Sequence, residues 1–298
     1  MTEQPPRTGA EDGAVAIDVR GLRKAYDGRP AVADLDLTVA AGEIFALLGP
    51  NGAGKTTTVE ILEGYRRRDH GRVSVLGVDP ARADATWRAR IGIVSQSTGE
   101  FESLRVEEVV RLFAGYYPDP DDPAEVIERV GLTPKRRALT HTLSGGQKRR
   151  LDVALGIIGR PELLFLDEPT TGFDPEARRE FWDLIRELSG RGTTILLTTH
   201  YLDEAEALAD RVGVINNGRL VAATTPAELG GRGDQAATVS WLGPDGRREV
   251  RTEAPTAFVR ELLAEFGDGE VPGLTVTRPS LEDAYLAMIG TTAKATSQ

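Results

Sequence analysis

Ile44-Phe45-Ala46-Leu47-Leu48-Gly49-Pro50-Asn51-Gly52-Ala53-Gly54-Lys55-Thr56-Thr57 joins an apolar run to a glycine-rich turn and then to a segment of helical character. A short apolar run bounded by turn residues is expected for a parallel strand buried on both faces. The spacing of Gly49, Gly54, Lys55 and Thr56 is that of a loop whose backbone N–H groups cradle phosphate oxygens. The helix that follows adds the positive end of its dipole. Lys55 can then reach the β/γ-phosphates and Thr56 can ligate Mg²⁺. Gly49, Asn51, Gly52, Gly54, Lys55, Thr56 and Thr57 are the nucleotide-binding candidates.

Outward from this stretch, short β-branched runs alternate with helical segments, the pattern of an α/β domain with crossover helices. Leu163 to Leu166, Thr194 to Leu197 and Val212 to Ile215 are further compact apolar runs, and they are expected to join Ile44 to Leu48 in a core parallel sheet. Val15, Ile17 and Val19 alternate with polar residues, as do Leu35, Leu37 and Val39, which predicts half-buried antiparallel strands before it. Helices are expected over Val106 to Tyr116 and Ala124 to Val130, in a helical insert spanning about 98–160. Residues 1–14 read as a disordered tail, 15–229 as the main domain, Gly230 to Asp234 as a linker, and 236–298 as a small α+β domain. In that last part strands are expected at Thr238 to Leu242, Arg248 to Thr252 and Leu274 to Thr277. Phe258, Leu262 and Phe266 mark one helix, and Leu281, Ala284, Tyr285 and Met288 a final one.

The chain has 298 residues, 40% of them hydrophobic and 28% charged, an ordinary globular balance. A formal charge of −10 argues against a broad nucleic-acid footprint. The basic clusters at 66–68, 135–137 and 148–150 are read as solvated or carboxylate-paired faces, with the last of them also placed to help position phosphates. The absence of cysteine removes disulfides, thiolate metal sites and cysteine nucleophiles. No apolar run approaches the roughly 20 residues of a membrane-spanning helix, so any membrane part must be another polypeptide.

Leu163-Leu164-Phe165-Leu166-Asp167-Glu168 ends a strand in two adjacent acids, at the edge of an open α/β sheet where ligands bind. Asp167 would hold the Mg²⁺ shell, as a strand-end Asp does in P-loop ATPases, and Glu168 could orient or deprotonate an attacking water. Leu143-Ser144-Gly145-Gly146-Gln147 precedes a helix-compatible segment, so Ser144, Gly145, Gly146 and Gln147 form a second candidate anion site or a simple cap with flexible glycines. Two cradles per chain suit a symmetric head-to-tail pair, in which the second cradle of one copy closes over the nucleotide held by the other.

In this order the motifs resemble those of the ATP-binding subunits of ABC transporters, over about Val15 to Leu229. The resemblance implies a P-loop ATPase core with an antiparallel β subdomain and a helical subdomain, using ATP and Mg²⁺. It makes Gln96 the glutamine that touches metal or water and links the site to a membrane subunit, and His200 the switch histidine at the γ-phosphate. Tyr26 matches the adenine-stacking aromatic, with a strand-end core aromatic as its plainer reading. Asp174 falls on the loop that crosses the dimer interface; where many members have Ser-Ala-Leu-Asp, this chain has Thr171-Gly172-Phe173-Asp174. The family's groove for a helix of the membrane subunit maps to 98–117. Thr170 to Arg179 and Pro279 to Leu286 resemble the drug- and antibiotic-resistance exporter branch.

The expected function is an ATP-hydrolysing motor, peripheral on the inner face of the cell membrane, that dimerises on ATP with its own copy. It would drive separate permease subunits to export a drug-like, lipid or polysaccharide substrate, with no nucleic-acid partner. The rivals are a soluble ABC protein acting on ribosomes or DNA, which usually carries a second cassette or a long coiled coil, and a nucleotide-binding regulator without hydrolysis.

Overall fold

The computed structural model describes residues 14–95, 101, 103–229, 236–243, 245–266, 270–277, 282–283, 285–286 and 288–290. Two long strands open the fold, β1 (Val15–Tyr26) and β2 (Arg29–Ala40), antiparallel with Ile17 opposite Val39 and Val19 opposite Leu37. Their hairpin turns at Asp27 and Gly28, both at positive φ (49° and 77°), as an Asp-Gly type I′ turn requires. After β3 (Ile44–Leu48) and helix α1 (Lys55–Leu62), β4 (His70–Val75) pairs antiparallel with β1 and completes a three-stranded sheet. The alternation in β1 and β2 puts Ile17, Val19, Leu22, Leu35, Leu37 and Val39 into one core.

The short helix α2 (Ala85–Arg88) leads into β5 (Ile91–Val94). Three helices follow, α3 (Val106–Ala114), α4 (Pro123–Arg129) and α5 (Gly145–Ile157), the helical insert that the sequence predicts. Val106, Val109, Val110, Val126 and Ile127 are buried, and Phe101 meets Phe113 edge-on at 5.4 Å. The chain then runs through β6 (Leu163–Asp167), α6 (Pro175–Gly190), β7 (Thr194–Thr199), α7 (Leu202–Leu208), β8 (Arg211–Asn216) and β9 (Arg219–Thr224).

The second sheet has the order β5-β6-β7-β3-β8-β9, and the pairs among β5, β6, β7, β3 and β8 are parallel. All five residues of β3 and all six of β7 are buried, which is why Ile44 to Leu48 and Ile195 to Leu197 read as apolar runs. The register sets Leu48 beside Thr199 and Asp167 beside Thr198. The segments that leave β3, β6 and β7 therefore start side by side on one edge. Two strands were not read from sequence: β4 has only two apolar residues among six, and β9 is half exposed throughout.

Contacts divide the chain between Val221 and Ala222. In the second unit β10 (Ala237–Gly243) lies between β11 (Gly246–Thr252) and β12, with α8 (Pro255–Phe266) preceding β12 (Thr275–Thr277). Val239, Trp241, Leu262 and Val271 are its buried core, with Phe258 and Phe266 packed on them as the helical spacing predicts. Leu281 and Ala284 of the expected final helix, and the linker 230–234, lie outside the described residues.

Helix α5 comes within backbone contact of β5. A Cβ on Gly92 would stand 2.2 Å from the Gly156 carbonyl oxygen and 2.8 Å from Leu164 Cδ1. Gly92→Ala is expected to destabilise the protein by about 1–3 kcal/mol through overpacking, read as a lower denaturant midpoint at unchanged slope.

Candidate active site

Gly49 to Gly54 carries the chain from the centre of the parallel sheet into α1. Gly54 caps α1 at φ 104°, and a Cβ there would lie 2.3 Å from the Ala31 carbonyl oxygen, so glycine is required. Gly52, at φ 78°, has nothing within 4 Å of the same added atom, which leaves the loop open on that side. Asn51 and Thr56 are exposed, and Thr57 is partly so. Lys55 is 6% exposed, and its Nζ donates to the carbonyls of Gly49 (2.7 Å) and Pro50 (3.3 Å). Burial pulls its ammonium below the usual lysine range, against the opposing attraction of Glu168 and then Asp167.

The acid pair stands at the end of β6. Thr198 Oγ1 donates to Asp167 Oδ1, and the backbone N–H of Glu168 donates to the Thr198 carbonyl and hydroxyl oxygens, each at 3.1 Å. Glu168 sits at φ 44°, a left-handed conformation that a side-chain-bearing residue adopts only where its surroundings enforce it. His200 Nδ1 lies 3.3 Å from Glu168 Oε1, with Glu168 mostly buried and His200 more open. The structure thus brings Lys55, Asp167, Glu168 and His200 into one neighbourhood.

The remaining candidates are placed separately. Ser144 caps α5: its Oγ accepts from the Gln147 N–H (3.3 Å), and Gln147 Oε1 accepts from the Ser144 N–H (3.1 Å). Both expected uses of this turn persist, since the cap leaves Ser144 and Gly145 exposed and open space beside Gly145 and Gly146. Asp174 caps α6, accepting from the Ala177 N–H at 2.8 Å, and is itself exposed. Among the described contacts, neither Ser144 nor Asp174 itself touches Lys55, Glu168 or His200, although Thr171, on the same loop as Asp174, donates to Glu168 Oε2 at 3.4 Å. Tyr26 ends β1 at 38% exposure, its ring centroid 5.2 Å from the Arg66 guanidinium and 5.6 Å from Lys24 Nζ. Gln96 lies outside the described residues.

These residues suit a phosphate-bound divalent cation. Among the described residues Asp167 forms no ion pair, and no cluster of three or more His, Asp or Glu could cage a metal by itself. One strand-end carboxylate with a nearby hydroxyl is what Mg²⁺ uses when substrate phosphates complete its shell. Lys55, buried and bonded only to neutral carbonyls, is likewise a cation whose counter-charge a phosphate can supply.

Arg149 departs from the solvated face expected of its cluster, although it does pair with a carboxylate, Asp152, at 3.9 Å. It lies within the cluster 148–150, yet it is buried and donates to the carbonyls of Pro169 (3.0 Å), Asp167 (2.7 Å) and Ser95. Burial pulls its guanidinium below the usual arginine range. It ties α5 to the ends of β5 and β6. Other members of the three clusters pair with carboxylates as expected: Arg66 with Glu60, Arg68 with Asp79, Arg136 with Glu107 and Arg150 with Glu180.

The fold and this edge define a P-loop ATPase. The ABC transporter family model matches residues 32–171. The daunorubicin/doxorubicin resistance ATP-binding protein DrrA of Streptomyces peucetius is 45% identical over 77% of this chain and 68% of its own length. DrrA3 of Streptomyces coeruleorubidus is 40% identical over 92% and 96%, and the Nod factor export ATP-binding protein I of Rhizobium leguminosarum bv. viciae 38% over 93% and 95%. Among solved structures, cbiO1 from Clostridium perfringens, part of the ABC transporter complex cbiONQ, superposes with a TM-score of 0.65 at 30% identity, over 72% of this chain and 90% of that one. The dimeric cassette MJ0796 shares the fold at TM-score 0.64 and 22% identity, over 70% and 98%. The chain belongs to the ABC transporter family, as a nucleotide-binding, ATP-hydrolysing subunit of the exporter branch.

Glu63, just after α1, carried no sequence signal. Burial, then the charges of Asp167 and Glu60, push its carboxyl up to about 7. Below its ordinary value both folded and unfolded chains hold the proton, whereas on raising the pH the unfolded chain releases it first. Stability is therefore lost from about pH 4.5 up to about pH 7. Glu63→Gln is expected to stabilise the EDTA-treated protein by about 1–3 kcal/mol at about pH 8 and by almost nothing near pH 4.5, as measured by urea unfolding at both.

Proposed function

We propose that the site hydrolyses ATP with the following division of labour. Lys55 and the backbone amides of Gly49 to Thr57 hold the phosphates, with Asn51, Gly52 and Gly54 shaping the loop, and Tyr26 stacks on the adenine. Thr56, Asp167 and Gln96 would hold Mg²⁺, which when bound would supply positive charge to neutralise the phosphates. Glu168 orients the attacking water or takes its proton, and His200 contacts the γ-phosphate and Glu168 together. Ser144, Gly145, Gly146, Gln147 and Asp174 of a second copy complete the cradle. The observation that carries this reading is Glu168: a carboxylate in an enforced left-handed conformation, hydrogen-bonding distance from a histidine and within the electrostatic reach of the loop lysine.

The two-copy arrangement is supported by the placement of Ser144 and Asp174, each exposed at a helix start and out of contact with Lys55. The main domain is taken to extend over about 15–229, past the division in contacts after Val221, with 236–298 as an accessory domain. Among the described residues no helix is long and apolar enough to cross a membrane. The proposed partner is therefore a separate permease subunit, with the motor peripheral on the inner face of the membrane. The relatives named for drug resistance and for Nod factor export support a drug-like, lipid or polysaccharide cargo over the ribosome- or DNA-acting reading.

Lys55→Ala is expected to lower ATP turnover by at least about 100-fold in a phosphate-release assay. Glu168→Gln keeps the side-chain shape but removes the base. It should retain ATP binding, lower turnover by about 100-fold or more, and trap a dimer in MgATP visible by sedimentation. A monomeric Glu168→Gln protein with bound ATP would remove the support for the two-copy arrangement. Unchanged turnover in Lys55→Ala would overturn the site.

A further inference from the structure

Glu204, on α7, is a fully buried carboxyl to which no motif assigns a role, and Thr170 beside it is equally buried. Trp182 Nε1 donates to Glu204 Oε1 across a long 3.4 Å. Burial pushes the carboxyl above the usual range, against the opposing pull of the Thr199 and Thr170 hydroxyls, the Trp182 indole and the Arg178 charge. Four segments thus converge on one acid: the residue after the Glu168-Pro169 step, the end of β7, α6 and α7.

The network is incompletely paired. Glu204 Oε2, Thr170 Oγ1 and Arg178 Nε are buried without a hydrogen-bond partner of good geometry. Buried orphans of this kind cost about 1–3 kcal/mol each, so they need a reason. Near a reacting centre such bonds are often long in the free enzyme and tighten in the substrate complex.

From this cluster a continuous set of contacts runs to Glu168. Arg178 donates to Asp203 at 2.9 Å, and its guanidinium lies 4.6 Å from the centre of the Tyr201 ring. The Tyr201 ring packs on His200 with centroids 4.1 Å apart, and His200 reaches Glu168 at 3.3 Å. The Tyr201 N–H donates to Thr199 Oγ1 at 3.0 Å, which anchors the same turn from below. On the other side Thr170 lies between Glu168 and Asp174, the cap of α6.

We propose that Glu204 is a positioning residue for ATP hydrolysis, holding the Glu168-to-Asp174 segment through Thr170 in register with the turn that presents His200 through Thr199 and Arg178. The inference rests on the roles proposed above for Glu168 and His200. Its role requires a polar, hydrogen-bonding group at Glu204, because the surroundings supply donors and acceptors but little solvation.

The test is steady-state ATPase kinetics of the full chain, with fluorescent-nucleotide binding and thermal unfolding measured beside it. Thr170→Val is isosteric and removes only the hydroxyl. It should lower kcat by about five-fold or more while KM and nucleotide affinity stay within about two-fold and the midpoint of unfolding hardly moves. Glu204→Gln, which can donate to Thr170 and accept from Trp182, should keep at least about half of kcat. Glu204→Leu should lose about ten-fold or more. Wild-type kcat in Thr170→Val, or Glu204→Gln as impaired as Glu204→Leu, would overturn the proposal. So would kcat, KM and unfolding temperature falling together in Thr170→Val, the sign of a merely structural contact. Glu168→Gln run in parallel separates the two readings: if it abolishes turnover while Thr170→Val and Glu204→Leu keep wild-type kcat, the site stands and the positioning role fails, and if Glu168→Gln leaves turnover unchanged, the site itself is wrong.

Discussion

Two adjacent carboxylates at the end of a strand with four buried apolar residues repel one another and are repelled by the core behind them. What holds them is short-range and specific. The Thr198 hydroxyl bonds Asp167, and the Thr198 backbone bonds the Glu168 N–H. Arg149 grips the carbonyls of Asp167 and Pro169, on either side of Glu168, and with Ser95 the end of the next strand. Lys55 supplies a positive charge across the gap, bonded to two carbonyls and, among the described contacts, to no carboxylate. Among the described contacts neither acid is paired with a lysine or arginine, which leaves both open to a phosphate-bound cation and a water.

Arg149 also explains how distant parts of the fold share one site. It lies on the second turn of α5, whose first turn is the capped Ser144-to-Gln147 segment. Its guanidinium fixes that helix to the strand ends, and the close approach of Gly92 and Gly156 fixes the next turns to β5. The exposed glycine amides of α5 are therefore held by the same groups that hold Asp167 and Glu168. A displacement of α5 must break buried hydrogen bonds at the acid pair, which makes the two ends of the motor mechanically dependent on each other.

The parts of this that were legible in sequence are those where one physical requirement dominates. Strands buried on both faces must be apolar throughout, so Ile44 to Leu48 and Leu163 to Leu166 announce themselves, and a backbone that must take φ 104° at Gly54 has to be glycine. Where requirements mix, the signal fades. β4 is mostly exposed, so HGRVSV carries almost no period, and its place beside β1 depends on long-range pairing. Arg149 is charged like its neighbours Lys148 and Arg150, and only the three-dimensional location of three carbonyls distinguishes it. Glu63 and Glu204 owe their perturbed carboxyls to burial by remote segments, which no local pattern records.

Glu168 shows why the site is rigid where it must act. A left-handed φ on a residue with a side chain costs on the order of 1–2 kcal/mol, and the chain tolerates it because the bonds from Thr198 and the turn toward Thr171 over-determine the position. The conformation turns the carboxyl out of the strand direction and toward His200, away from the sheet in which Asp167 remains. Adjacent residues thus face different partners, a hydroxyl for Asp167 and an imidazole for Glu168. That divergence accompanies the left-handed φ of Glu168 at the end of β6. It allows a plain Asp-Glu dipeptide to divide into a group suited to a cation and a group suited to a water.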